Sequence, residues 1–386
     1  MLFAFSLFKY FPYGGLQRDM LRMAEEAAGR GHRVVVFTGE WRGGNPPPGV
    51  SVHIIRAHGL TNHARAADFA RSFLETIGNP GYCRKNFGQE KFDAVVNFNR
   101  VPGGDFYFAA DNCLAVEWAE KHSPWVLKLF PRYRTYLEQE RAVCAPDART
   151  VIMYITPRQK EQYQAAYRLP EERFLPLPPG MNPACRRTAD YAEKRARARA
   201  ELSARADDLL LILVGSDYQR KGADRLLRAV AALPDGLKTH ARVLLVGASA
   251  PGKIQKLAET LRLTGQVHFL GARDDVPDLL AAADLMVHPA RSEATGTVLI
   301  ESIAAGTPVI ASAACGFGNY VADIDPEMLT PEPFRQDDLD RALAHALKNI
   351  SPLTEKTRAY AETADFYRRA AVAVDAFERH GRGEIF

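Results

Sequence analysis

Two hydrophobic spacings alternate along the chain: short unbroken apolar runs, and longer stretches with apolar residues three or four positions apart. Leu2 to Phe8 is the first run and predicts a buried strand, followed by a helix from Leu16 to Ala28. Gly29-Arg-Gly-His32 closes that helix, and Arg33 to Phe37 is the next strand. Further strands are predicted at Val52 to Arg56, Asp93 to Asn97, Val151 to Ile155 and Phe174 to Leu177, with a helix from Arg65 to Ile77. Pro176-Leu-Pro-Pro-Gly180 is a stiff exit, so the linker is placed near Gly180 to Asn182. An Arg-rich helical stretch, Arg186 to Arg205, reads as a solvated face. The rhythm then restarts with strands at Leu209 to Val214, Val243 to Val246, Val267 to Leu270, Leu285 to His288 and Val309 to Ser312. Helices are expected at Pro251 to Leu263, Val276 to Ala283 and Val298 to Ala305, then at Asp337 to Asn349, Glu355 to Thr363 and Phe366 to His380. Such alternation builds parallel sheets covered on both faces. The predicted fold class is α/β, with two Rossmann-like doubly wound halves.

The most informative stretch is HPARSEATGTVLIESIAAGTPV, His288 to Val309. It is a strand end, a loop of small residues and a helix closed by Gly306 and Pro308. Bare amides and a positive helix end make such a loop an anion site. Glu293 and Glu301 flank the turn. A wholly helical segment would set them roughly 12 Å apart. Carboxylates sharing one glycosidic bond lie only about 5 to 9.5 Å apart. The spacing therefore suits one long ligand held at both ends, such as a hexose, diphosphate and ribose in line; the plainer reading is two surface glutamates. Arg220-Lys221, in the loop Gly215 to Gly222 at another strand end, suits a diphosphate. Gly14-Gly15 lies between the first strand and helix, but it is not GxGxxG, which disfavours a dinucleotide site. The loop Asn99 to Asp105 follows a strand, making Asp105 a site candidate against a plain turn aspartate.

The chain has 386 residues, which argues for two domains, and its composition is ordinary for a globular protein. A net charge of +4 favours anionic small partners or acidic lipid and is too small to argue for nucleic acid. Five scattered cysteines without CxxC spacing suggest a reducing compartment rather than a disulfide framework or zinc site. No basic stretch precedes Leu2 to Leu7 and no apolar run approaches membrane-spanning length, so a cytoplasmic soluble or peripheral protein is expected. Between Ala115 and Arg141, aromatic and aliphatic residues interleave with cations: Lys121, Trp125, Lys128, Phe130, Arg132 and Arg134 among them. That is an interfacial helix for anionic lipid, or else a long helix pair packed on the sheet. Asp323-Ile-Asp325 has DxD form but lies past the other motifs and reads as a loop; no metal is expected.

These features together resemble the retaining GT-B glycosyltransferases, the large family that includes sucrose synthase and bacterial lipopolysaccharide enzymes. Phe8 to Asp19, Thr61-Asn-His63, Phe106 to Asp111, Gly215-Ser-Asp217 with Arg220-Lys-Gly222, Ala281 to Leu285 and His288-Pro-Ala290 resemble one group of it, the lipopolysaccharide core glucosyltransferases. The resemblance covers essentially the whole chain. It implies a hexose, glucose by expectation, moved from a UDP-sugar to an inner-core heptose at the inner face of the cytoplasmic membrane. It implies two domains facing a central cleft: residues 1–180 for the acceptor, with the helix 366–386 packing back on them, and 181–365 for the nucleotide sugar. Glu293 would hold the hexose, Glu301 the ribose, and Arg220 and Lys221 the diphosphate. Gly15, Gly296, Thr297, Val298, Leu299 and Arg273 would complete the donor side. Asp105 would stand near the reacting sugar, with Asp19, Asn62 and His63 on the acceptor side. A sugar-nucleotide epimerase and a non-catalytic sugar-nucleotide-binding module that docks on membranes are the competing readings.

Overall fold

A computed structural model describes residues 1–12, 14–181, 183–247 and 252–384. Tyr13, Asn182 in the expected linker, residues 248–251 at the expected start of the Pro251 helix, and 385–386 lie outside the described residues. The chain forms two compact units, Met1–Gly180 with Arg368–Phe386, and Met181–Tyr367.

In the first unit, strands β1 (Leu2–Ser6), β2 (Arg33–Thr38), β3 (Val50–Ile54), β4 (Ala94–Asn97), β5 (Phe106–Ala109), β6 (Val151–Tyr154) and β7 (Phe174–Pro176) make one parallel sheet. Their order is β3-β2-β1-β4-β5-β6-β7. β1 is paired on both edges and buried at every position, so its sequence LFAFS needs no polar alternation. Phe37 of β2 packs edge-on against Phe73, Phe87 and Phe92, the centre of one core. β5 was absent from the sequence pattern, being a run of only four residues, FYFA. The helices Pro80–Phe87 and Pro157–Tyr167 were also absent. The second has few apolar positions, yet its start is written in a capping box of Thr156 and Gln159 around Pro157.

The segment from Ala115 to Arg141 is neither one interfacial helix nor a helix pair. Pro124 and Pro131 each open a new helix, giving Leu114–Lys121, Pro124–Leu129 and Pro131–Val143. The last helix of the chain begins at Arg369, later than Phe366, and ends at Gly381. Its Phe377 ring packs on Phe3, Phe5 and Phe106, and Arg30 reaches Asp375 at 2.6 Å, so it completes the first unit's own core.

In the second unit, β8 (Leu209–Val214), β9 (Ala241–Val246), β10 (Val267–Gly271), β11 (Leu285–His288), β12 (Val309–Ser312) and β13 (Leu329–Thr330) form a parallel sheet in the order β10-β9-β8-β11-β12-β13. The Arg-rich stretch is α-helical only over Tyr191–Glu201. Asp323-Ile-Asp325 is not a loop: Asp323 lies in the helix Gly318–Ile324, and Asp325 caps the next turn and pairs with Lys356 at 2.9 Å. The strand order reverses direction around β8, whose neighbours are β9 and β11. Ligands of open α/β sheets sit beyond the carboxyl ends of strands at such a switch point.

Candidate functional site

Two loops leave the second sheet at that switch point. One follows β8 and carries Arg220 and Lys221; the other follows β11 and carries Glu293. Gly222 caps the helix Ala223–Ala231 with φ +80°, and a Cβ there would overlap the Pro289 carbonyl oxygen. Glycine is what lets the two loops touch. Arg291 then ties them: its amide donates to the Arg220 carbonyl at 2.8 Å, and its guanidinium grips Asp224 through two contacts of 2.8 Å. Burial raises the Asp224 carboxyl, but the Arg291 and Arg228 guanidiniums prevail and hold it at about 2. Arg220 returns the tie by donating to the Ser292 carbonyl at 2.9 Å.

The side chains of this frame converge on Glu293. Lys221 Nζ is in direct contact with Glu293 Oε2, and Arg220 Nη1 lies 3.6 Å from the same oxygen. Lys221 and Glu293 are mostly buried, with side chains 11% and 13% exposed. Burial first, and then the Arg220 charge, lower the Lys221 ammonium to about 8, against the raising influence of Cys315 and Asp217. The backbone of Glu293 is fixed by its amide donating to the Ala314 carbonyl and its carbonyl accepting from Gly316. Gly296, at φ +81°, caps the helix Thr297–Ala304. The amides of Thr297 and Val298 open that helix, and a helix start supplies them no internal acceptor. Cations from the loop after β8 thus meet Glu293 of the loop that leads into the bare amides, an arrangement that stabilises negative charge developing on a bound group.

Sequence reasoning missed His288, the last residue of β11. It is fully buried, Nε2 lies 3.6 Å from Glu293 Oε2, and among the described residues neither ring nitrogen has a hydrogen-bond partner. Burial, then Lys221 and Arg220, lower it to about 3, so it is a neutral imidazole. The available signal was a histidine ending an all-apolar strand just before a loop.

Other candidates lie off these two loops. Glu301 lies in the second turn of its helix, where its charge adds to burial in pushing the Cys185 thiol up to about 12. Arg273 follows edge strand β10, two strands from β8 and so roughly 10 Å away in the sheet, and its guanidinium pairs with Asp275. Asp105 is corrected. It precedes β5 and lies level with Val95 near the amino end of β4, the edge opposite the crevice. Its carboxylate accepts from the Val95 amide at 2.8 Å and pairs with His380 at 3.2 Å. Asp19 accepts from Arg369 Nη1 at 2.8 Å. Gly15 starts the helix Gly15–Gly29 with open space where a Cβ would be. Asn62, exposed, and His63, half-buried, start the helix Asn62–Ile77 beyond β3. Trp125, Leu129 and Phe130 are 60%, 69% and 51% exposed. Lys121 pairs with Glu117 and Arg134 lies 3.8 Å from Glu138, while Lys128 and Arg132 form no ion pair among the described residues. Among those residues no helix is long and apolar enough to cross a membrane.

Residues 13–184 match the family Glycosyltransferase Family 4, and residues 194–364 match Glycosyl transferases group 1. The chain is 39% identical over 380 residues to the lipopolysaccharide glucosyltransferase WaaG of Escherichia coli K12, covering 97% of this chain and 98% of that one. A crystal structure of WaaG, described as a glycosyltransferase involved in lipopolysaccharide biosynthesis, superposes with a TM-score of 0.78 over 97% of this chain and 99% of that one. Sucrose-phosphate synthase from Thermosynechococcus elongatus shares the fold at 22% identity and a TM-score of 0.71, over 99% of each chain. With identity of this degree along both units and the same GT-B fold, the chain belongs to the lipopolysaccharide glucosyltransferase family of WaaG and is a glycosyltransferase.

Proposed function

We propose that the protein moves glucose from UDP-glucose to an inner-core heptose of lipopolysaccharide, with retention of anomeric configuration, at the inner face of the cytoplasmic membrane. The observation that carries this reading is the convergence of Arg220 and Lys221 on Glu293, beside the amino end of the Thr297–Ala304 helix. Breaking the bond from hexose to diphosphate builds negative charge on the leaving group. Arg220, Lys221 and the amides of Thr297 and Val298 neutralise it without a metal, commonly the largest catalytic contribution. Bound diphosphate competes with Glu293 for Lys221 and frees the carboxylate to accept hydroxyl groups of the hexose. His288, neutral and fully buried, lies 3.6 Å from Glu293 Oε2. Glu301 takes the ribose hydroxyls at the far end of the donor.

The peripheral membrane assignment rests on the exposed Trp125, Leu129 and Phe130 among Lys121, Lys128, Arg132 and Arg134. The deciding experiment is a donor screen on truncated, heptose-terminated core lipopolysaccharide, read by mass spectrometry. A single hexose added from UDP-glucose, and less from UDP-galactose or UDP-N-acetylgalactosamine, is the expected result. Conversion of the donor without an acceptor would overturn the reading.

A further inference from the structure

At the other end of the Thr297–Ala304 helix, roughly 12 Å along its axis, lies a cavity of about 440 Å³ within the second unit. Arg186, Arg187, Arg358, Tyr191 and Tyr367 line it. Gly306 forms its floor: a Cβ there would lie 3.0 Å from Arg358 Cγ and 3.4 Å from Arg187 Cδ, so both arginine stems cross that glycine. The Arg187 and Arg358 guanidiniums stand 4.6 and 5.7 Å from the Tyr191 ring centre, and Arg186 stands 5.8 Å from that of Tyr367. The rings fix the forks in place. Among the described residues none of the three guanidiniums forms an ion pair, and the buried Nε of Arg358 has no acceptor. Glu362 on the wall is exposed. Asp284, in an adjoining cavity of about 350 Å³, is already held by Arg195 at 2.5 Å and Arg199 at 3.0 Å. Arg186 and Arg187 are exposed at the rim and Arg358 is half-buried, so the Arg358 Nε is the one buried donor of the three without an acceptor among the described residues. A buried donor is normally satisfied, and three unpaired forks beside one cavity suit an anion with several oxygens.

We propose that this cavity is a second anion site, separate from the donor site, which binds a phosphate-bearing ligand through Arg186, Arg187 and Arg358 with Tyr191 as its wall. Calorimetric titration with pyrophosphate, on the full chain carrying Lys221→Ala to remove the donor-site cation, tests it. One binding event is expected to persist in that background and to weaken about tenfold or more when Arg187→Ala and Arg358→Met are added. No binding in the Lys221→Ala protein, or an affinity unchanged by the added pair, would overturn the proposal. If circular dichroism shows the added pair unfolded, Arg187→Lys with Arg358→Lys carries the test. Keeping the charge but losing the forks should weaken pyrophosphate severalfold, and an unchanged affinity again overturns it. Vesicles of phosphatidic acid in phosphatidylcholine separate the sources of the phosphate. Vesicle binding lost with the cavity arginines assigns a lipid headgroup; vesicle binding indifferent to them assigns a soluble phosphate ester.

Discussion

Lys221 carries two opposite pH signatures. Its ammonium falls from 10.5 to about 8 in the folded chain. Donor binding that needs this cation should decline as pH rises through about 8, and Lys221→Arg, always charged, should flatten that limb of the kcat/KM profile. Stability runs the other way. Between about 8 and 10.5 the unfolded chain keeps a proton that the folded chain has lost, so this group makes unfolding harder as pH rises there. A profile that holds level beyond pH 8 in the native enzyme would refute the cationic role. The contact with Glu293 also changes what mutation should do. From sequence alone, Glu293→Ala reads as silent for stability. With both partners mostly buried, removing one leaves the other uncompensated, at a cost of about 3–5 kcal/mol. Glu293→Gln keeps shape and an acceptor but not the charge, so it should lower the thermal midpoint less than Glu293→Ala while transfer falls by roughly 10²–10³. If transfer falls only as far as the midpoint does, Glu293 is structural.

Glycine positions make the same separation at the level of loops and helices. Gly222 and Gly296 both have positive φ, worth about 1–2 kcal/mol against any other residue. At Gly296 the added methyl meets only Leu299 and Glu293 side-chain atoms at 3.2–3.3 Å, which can shift. At Gly222 it meets backbone, the Pro289 carbonyl, which cannot shift without parting the two loops. Gly222→Ala should therefore lower the urea midpoint more than Gly296→Ala and weaken UDP binding by calorimetry, and equal effects would show that the loops tolerate separation. The sequence displayed these turns well, because Gly-Lys spacing and strand ends are local. It misplaced Asp105 for a definable reason. The loop after β4 was assumed to stay at the carboxyl edge, whereas the unrecognised β5 runs parallel to β4, and the chain must return to the amino edge to enter it. His288 was hidden differently: an orphaned, neutral imidazole is a property of its surroundings, and the Leu-Met-Val-His run marks only a histidine at a strand end.

For the whole molecule, net charge and composition left a soluble and a peripheral protein both open, and did not say which cations would act. The fold ranks them. Lys121 and Arg134 face Glu117 and Glu138 on their own helices, so their charge is partly cancelled; Lys128 and Arg132, on either side of exposed Leu129 and Phe130, are not paired among the described residues. A cation near an anionic surface contributes about 1 kcal/mol, screened beyond a Debye length of about 8–10 Å. Lys128→Gln with Arg132→Gln should thus weaken co-sedimentation with anionic vesicles by roughly tenfold or more. Lys121→Gln with Arg134→Gln should do less, and both effects should shrink in salt. Trp125→Ala with Phe130→Ala removes apolar area, so its loss should survive high salt. If all three pairs behave alike, or none alters binding, the three short helices serve only to cover the first sheet. The membrane role of the segment would then have to be abandoned while the donor site stands untouched.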